Sequence, residues 1–248
     1  MPADKPPVPS VWTRPRATRE RPALSRERIV AEAVRLLDEE GAEALNMRNL
    51  GTRLGAGATS LYRHVAGKDE LIELVVDEAY GEVRVPEADP PGDWRGALAE
   101  GARSLRAMIL RHPWIAPMLG QAGLATLGPN LMRQSERMIT LFRAAGFPPG
   151  EADQAMNTLI AYVIGMATSE AAYLSMLARS GRTEQEWAES LRPVVEQAMR
   201  DHPRLREAHA AQHGGDPERV REEGFGYGLE RVLDGLQARL GPAGGSAG

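Results

Sequence analysis

"LGAGATSLYRHVAGKDELIELV", Leu54 to Val75, decides the fold. Gly55 and Gly57 bracket a tight turn. Leu61 and Val65 fall one helical turn apart, which places a short helix over about Thr59–Val65. Gly67 then breaks the chain, and Lys68 opens a further helix with Asp69 and Glu70 at its positive end and Leu71, Leu74 and Val75 facing inward. No carboxylate precedes Asp69 in this stretch, although the whole chain carries a formal charge of −4.

Working back from it, Asn46 is placed to cap a helix with Met47, Leu50 and Leu54 inward. Ser25 caps an earlier one in which Ile29, Ala33, Leu36 and Leu37 share a face, and Gly41 suits its C-terminal end. Three helices of about 16, 8 and 7 residues therefore precede a longer fourth, and the second and third, joined by a glycine turn, form a helix-turn-helix. Such a pair lays its second helix in the major groove of DNA. The acid-free run from Asn46 to Lys68, with four Lys/Arg, then has a reason, because a carboxylate there would repel phosphate. Arg48 is assigned to phosphate. Gly57 leaves room for the backbone to approach the duplex, and Thr59 and Ser60 are short groups for base edges. Arg63 is assigned to guanine, and Tyr62, His64 and Lys68 to phosphate.

Working forward, "VPEADPPGD" (Val85–Asp93) is a break, and helices are expected near Asp93–Arg111, Asn130–Ala145, Gly150–Arg179, Thr183–Arg200, Pro203–His213 and Pro217–Leu240, with "PWIAPMLG" as a short helix or turn. Aromatic residues make up only 5% of the chain and Leu, Ala, Arg and Glu dominate, so the fold class is all-α. The chain has no cysteine, which excludes disulfides and thiolate metal sites and suits a reducing cytosol. The first residues have no apolar core of a signal peptide. The stretch Ala155–Ala178 is interrupted by Asn157, Thr158, Ser169 and Glu170 and is read as a buried helix, so no membrane partner is expected. "GGSAG" (Gly244–Gly248) lacks the strand and helix of a nucleophile elbow. His209 and His213 lack a completing carboxylate for a metal, and "RHP" at 111–113 reads as a helix stop. No enzyme site, metal or cofactor is expected. The competing class, a helical hydrolase or transferase, has no nucleophile–base pair to support it.

Residues 25–80 resemble the DNA-binding domain of the TetR family of bacterial repressors. The likeness is carried by Leu61-Tyr62-x-His64-Val65 followed by Lys68 and Leu71, and continues more weakly through "RHPWIAPMLG", "LFRAAGF" and "FGYGLERVLDGLQARL" in the manner of the tetracycline-repressor subgroup. Composition reads residues 1–24, rich in Pro and Arg, as a disordered basic arm and 241–248 as a flexible tail; the resemblance implies a helix-turn-helix DNA-binding domain (25–82) and a helical ligand-binding and dimerisation domain (93–240). It implies a cytoplasmic homodimer that binds a palindromic operator and is released by a small-molecule effector. The alternative is a relative without small-molecule response, or an activator. At the positions of the subgroup's drug-contacting and magnesium-binding histidines this chain has Arg84 and, nearby, Leu119, so magnesium–tetracycline is not the expected effector.

In the last helix Phe225, Leu229, Val232, Leu236 and Leu240 share a face, and Gly224, Gly226, Gly228 and Gly235 suggest close backbone packing. With Ala155, Ala161, Gly165, Ala167 and Ala171 as small residues of Gly150–Arg179, the two helices point to a four-helix dimer interface, to which Ala161, Gly165, Phe225, Gly228, Leu229, Val232 and Leu236 are assigned. Seven of ten methionines lie between Met108 and Met176. Methionine suits an adaptable apolar pocket, for which Trp114, Met118, Met138, Phe142, Tyr162, Met166 and Tyr173 are candidate liners and Asn157 a polar anchor. Arg14, Arg16, Arg19 and Arg21 are candidates to track phosphate or the minor groove.

Overall fold

The computed structural model describes residues 24–87, 93–122, 128–212 and 216–240. Among these, every regular element is helical: α1 (Arg26–Glu40), a 3₁₀ turn (Ala42–Ala44), α2 (Met47–Leu54), α3 (Ala58–Leu61), α4 (Lys68–Tyr80), α5 (Trp94–Arg111), α6 (Ile115–Ala122), α7 (Pro129–Ala144), α8 (Pro149–Ser180), α9 (Glu184–Ala198), α10 (Pro203–Gln212) and α11 (Pro217–Arg239). The arginine arm, the tail after Leu240, His213 and the side chain of Leu119 lie outside the described residues.

The capping chemistry sets the boundaries. Ser25 Oγ accepts from Arg28 N, Asn46 Oδ1 accepts from Asn49 N at 2.9 Å, and Asp93 Oδ1 accepts from Gly96 N at 2.8 Å. Gly55 and Gly181 end α2 and α8 in the left-handed conformation, at φ of 63° and 66°. Thr183 and Glu186 form a reciprocal capping box at the start of α9.

Helices α1 to α4 form a head around Ile29, Leu36, Leu50, Leu61, Leu71 and Val75, all fully buried. Arg53 of α2 ties this head together: its guanidinium reaches Glu32 at 2.8 Å, Glu39 at 2.6 Å and Glu40 at 2.9 Å on α1. Helix α3 is shorter than expected. It ends at Leu61, and His64 and Val65 continue in turns held by bonds to the Leu61 carbonyl.

The body packs α5 on α8, with α7 and α11 alongside. Phe142 sits among Trp94 and Phe147 in a buried aromatic cluster. Two polar joints connect head and body. Asp77 of α4 is buried and accepts from the backbone N–H groups of Asn130 and Leu131, both at 3.0 Å, so the head's last helix caps the first turn of α7. Asp38 of α1 meets His112 Nδ1 and Trp114 Nε1, each at 2.6 Å, while His112 Nε2 faces Glu82 at 3.1 Å. His112 is the helix stop expected for "RHP", since it closes α5, and its ring is also this second joint.

Two expectations need correcting. Helix α8 is not buried all round: Ala161, Gly165 and Met166 are exposed, although the helix is long and apolar enough to cross a bilayer by length and composition. On α11 the buried residues are Phe225, Leu229 and Leu233, with Val232 and Leu236 only half-buried. Phe225 and Leu229 therefore serve the protomer's own core. Gly228 does too, because a Cβ there would collide with the Tyr162 ring of α8, whose hydroxyl donates to the Phe225 carbonyl at 2.7 Å.

Candidate DNA-binding face and ligand cavity

The tip of the head is built by packing from behind. Leu61 and Val65 are buried beneath it, and Gly51 lets α2 meet the turn: a Cβ there would lie 2.8 Å from the Ala56 carbonyl oxygen. What remains outside is Arg48, Gly57, Thr59, Ser60, Tyr62, Arg63 and Lys68, all exposed, with His64 half-buried. Gly57 has an extended backbone any residue could adopt, at φ −71°, and a Cβ there would meet nothing within 4 Å. Its side faces open space, as approach by another molecule requires.

The charges on this tip are sorted. Of the four cations in the acid-free run, Arg53 is consumed by its three carboxylates. Arg48, Arg63 and Lys68 make no ion pair among the described residues. Glu70, the nearest partly covered acid, is turned inward: it pairs with Arg26 at 2.6 Å and accepts from the Ala66 N–H. Arg26 in turn donates to the His64 carbonyl at 3.2 Å. Asp69, beside Lys68, is exposed and makes no ion pair among the described residues, but within the acid-free run Arg48, Arg63 and Lys68 are left for the kind of contact a phosphate backbone makes.

The body holds a cavity of about 110 Å³. Tyr80 at the end of α4 and Val83 just beyond it close one side, with Gly101, Ala102 and Leu105 from α5, Leu131, Gln134, Ser135 and Met138 from α7, and Leu159, Ile160 and Val163 from α8. The lining is mostly apolar and carries no charged side chain. Burial pushes the Tyr80 hydroxyl up to about 12, so it stays neutral. Gln134 is 5% exposed, and its Oε1 has no hydrogen-bond partner among the described residues.

Of the eight pocket residues expected from sequence, only Met138 lines this cavity. Phe142 is spent on the aromatic cluster, Trp114 on Asp38 and Tyr162 on the Phe225 carbonyl; Met118 is buried near the head without reaching it. Asn157 is exposed and bonded to Asp153 one turn earlier, so it anchors nothing inside. Met166 and Tyr173 line a second, wider and more polar groove between α8, α9 and α11, whose rim is charged by Glu170, Glu184, Arg219 and Arg221. Tyr80 and Gln134 were missed. A signal existed: Gln134 falls three residues after Leu131 and four before Met138, on the inward stripe of α7.

Comparison with known proteins accounts for both halves of the chain. Residues 29–75 match the model described as "Bacterial regulatory proteins, tetR family", and residues 85–240 match "Tetracyclin repressor-like, C-terminal domain". The HTH-type transcriptional repressor DrrR1 of Streptomyces coeruleorubidus is 34% identical over 88% of this chain and 78% of its own. The tetracycline repressor protein class A from transposon 1721 of Escherichia coli is 30% identical, over 85% of this chain and 89% of its own. Among solved structures, apo ActR from Streptomyces coelicolor superposes with a TM-score of 0.71 at 34% identity, covering 89% of this chain and 98% of that one. With a regulator's DNA-binding half in front and a repressor-like helical half behind it, the chain belongs to the TetR family of transcriptional regulators.

Proposed function

We propose that the protein is a homodimeric repressor whose two heads occupy successive major grooves of a palindromic operator, and that a small molecule entering the body's cavity releases it. The observation that carries this is the position of α4. One end of this helix bears Lys68 at the exposed tip, and the other end supplies Tyr80, which walls the cavity. Thirteen residues of α-helix span about 20 Å, so a ligand that displaces Tyr80 tilts a rod whose far end carries the tip. Two heads poised about 34–36 Å apart on DNA lose simultaneous docking when those rods splay, and a ligand that prefers the splayed state shifts the population to it.

The dimer is supported by the uncovered side of α8. Ala161 and Gly165 are exposed, Gly165 would accept a Cβ without contact, and Met166 is 40% exposed beside them. On α11, Gly224 and Gly235 are open in the same way and Tyr227 is 68% exposed. A second copy of the same two helices would cover both. Of the residues assigned from sequence to this contact, Ala161 and Gly165 stay on its face, Val232 and Leu236 at its margin, and Phe225, Gly228 and Leu229 support it from within. Effector response is supported by the likeness to ActR, crystallised in complex with actinorhodin (33% identity, TM-score 0.72) and with (S)-DNPA. On this reading the domains run 25–82 and 93–240, and the protein works in the cytoplasm, where its DNA is.

The test is a gel shift with the DNA upstream of the protein's own gene, paired with sedimentation of the free protein. A dimer that retards the fragment as one complex, and is displaced by a member of a small-molecule library, is the expected result. A monomer in solution, or a complex that no library member displaces, overturns the corresponding half.

A further inference from the structure

The described residues leave two buried polar atoms without a partner, Gln134 Oε1 and Thr168 Oγ1, and only Gln134 lines the cavity. An unmet buried acceptor is costly, and the cost vanishes when a donor arrives. We propose that Gln134 is the polar anchor of the effector site and that it selects neutral, single-ring apolar molecules carrying one O–H or N–H donor. The proposal rests on the reading of this cavity as the place where the effector binds.

Three features set the ligand class. Size comes first: about 110 Å³ is somewhat less than the roughly 150 Å³ of an engineered dry cavity that takes benzene, and the flexible Met138 on the wall can yield the difference. Charge comes second. With no ionic side chain on the wall, a carboxylate or ammonium ligand would lose its hydration without compensation. Polarity comes third: Leu105, Leu159 and Val163 satisfy a hydrocarbon ring, and beside the hydroxyls of Tyr80 and Ser135 the wall presents Oε1 as its buried acceptor without a partner. A water that visits Oε1 in the empty protein is displaced without loss only by a ligand that restores its hydrogen bond.

The test uses the full-length protein and two isosteric probes, phenol and toluene, with benzoate as a charged control. Binding is followed by calorimetry and by the Met138 methyl signal in NMR spectra. Wild-type protein should bind phenol about tenfold more tightly than toluene, the scale of one buried hydrogen bond made or missed, and should bind benzoate far more weakly. Gln134→Leu should bring the phenol-to-toluene ratio to about one or invert it. Without ligand, this variant should melt at a higher temperature than wild type, because the unmet acceptor is gone. Gln134→Met serves the same purpose if the leucine variant fails to fold. Equal binding of phenol and toluene by wild type overturns the anchor and leaves the cavity as a ligand site. So does a phenol preference that survives in Gln134→Leu, and benzoate binding on a par with phenol overturns the neutral class. If neither phenol nor toluene shifts the Met138 signal, the reading of this cavity as the effector site falls as well.

Discussion

The tip of the head and the body of the molecule treat arginine in opposite ways. In the body, Arg95 pairs with Glu230 and Asp234, Arg106 with Glu170 and Glu222, and Arg221 with Glu170 and Glu184. These bridges staple α5, α8, α9 and α11 to one another. Arg106 also lies over the Phe225 ring, 4.7 Å from its centroid. At the tip, Arg48, Arg63 and Lys68 stand exposed and make no ion pair among the described residues. The same residue type is mortar in one place and an open contact in the other, and the placement of glutamate decides which. A positive group without a partner in its own fold is available to a partner outside it.

Exchanging the two kinds of cation breaks or sharpens this contrast. The largest effect is expected from Arg63→Ala with Lys68→Ala. Operator affinity should fall at least a hundredfold, because each change is made twice per dimer and a guanine contact is worth about 1–3 kcal/mol. Loss of the Lys68 phosphate contacts should also flatten the salt dependence, by a slope of about 2 in the logarithmic plot. The melting temperature should stay put; fluorescence anisotropy across a salt series and a thermal scan measure both. A fall in melting temperature with unchanged binding would mean that these side chains belong to the fold after all.

Arg106→Ala should do the reverse. It leaves Glu170, 12% exposed, with Arg221 as its remaining partner, at a cost of about 2–4 kcal/mol read by chemical denaturation. The isolated head contacts to DNA should be untouched once the protein is folded. The smallest effect concerns Arg53 and Glu32. The Arg53 hydrogen bond is the main cause that holds the Glu32 carboxyl below its ordinary value of about 4.5. A depressed folded-state pKa means stability that is present above the unfolded value and lost as the pH falls through the folded one. Denaturation midpoints should therefore drop on acidifying below about pH 4.5, and Glu32→Gln should drop less steeply, by under about 1 kcal/mol.

The helices were legible because their caps are local. Ser25, Asn46 and Asp93 each start the helix their chemistry announces, and Gly41 and Gly55 end theirs. The exposed tip was legible for a related reason: a run without acid is a property of neighbours in the chain. The cavity was not, because it is made by four segments far apart in sequence. Trp114, Phe142 and Tyr162 look like pocket residues from composition, and each proved to be committed to a specific neighbour that sequence does not reveal. Gly228 was read as a sign of a second copy, whereas the crowding it relieves comes from Tyr162 of the same chain. Gly51 carries a comparable constraint against Ala56 and gave no sign beyond being a glycine in a helix.

All but two of the cavity's walls belong to α5, α7 and α8, and neither of the exceptions, Tyr80 and Val83, is among the residues proposed to meet DNA. Ala102, Leu105 and Leu159 are buried in the core and are not among the residues proposed to meet DNA, so exchanging them reshapes the cavity while the proposed base-reading side chains stay as they are. A library randomised at those three positions would yield sensors for new chemicals that all report through one fixed promoter.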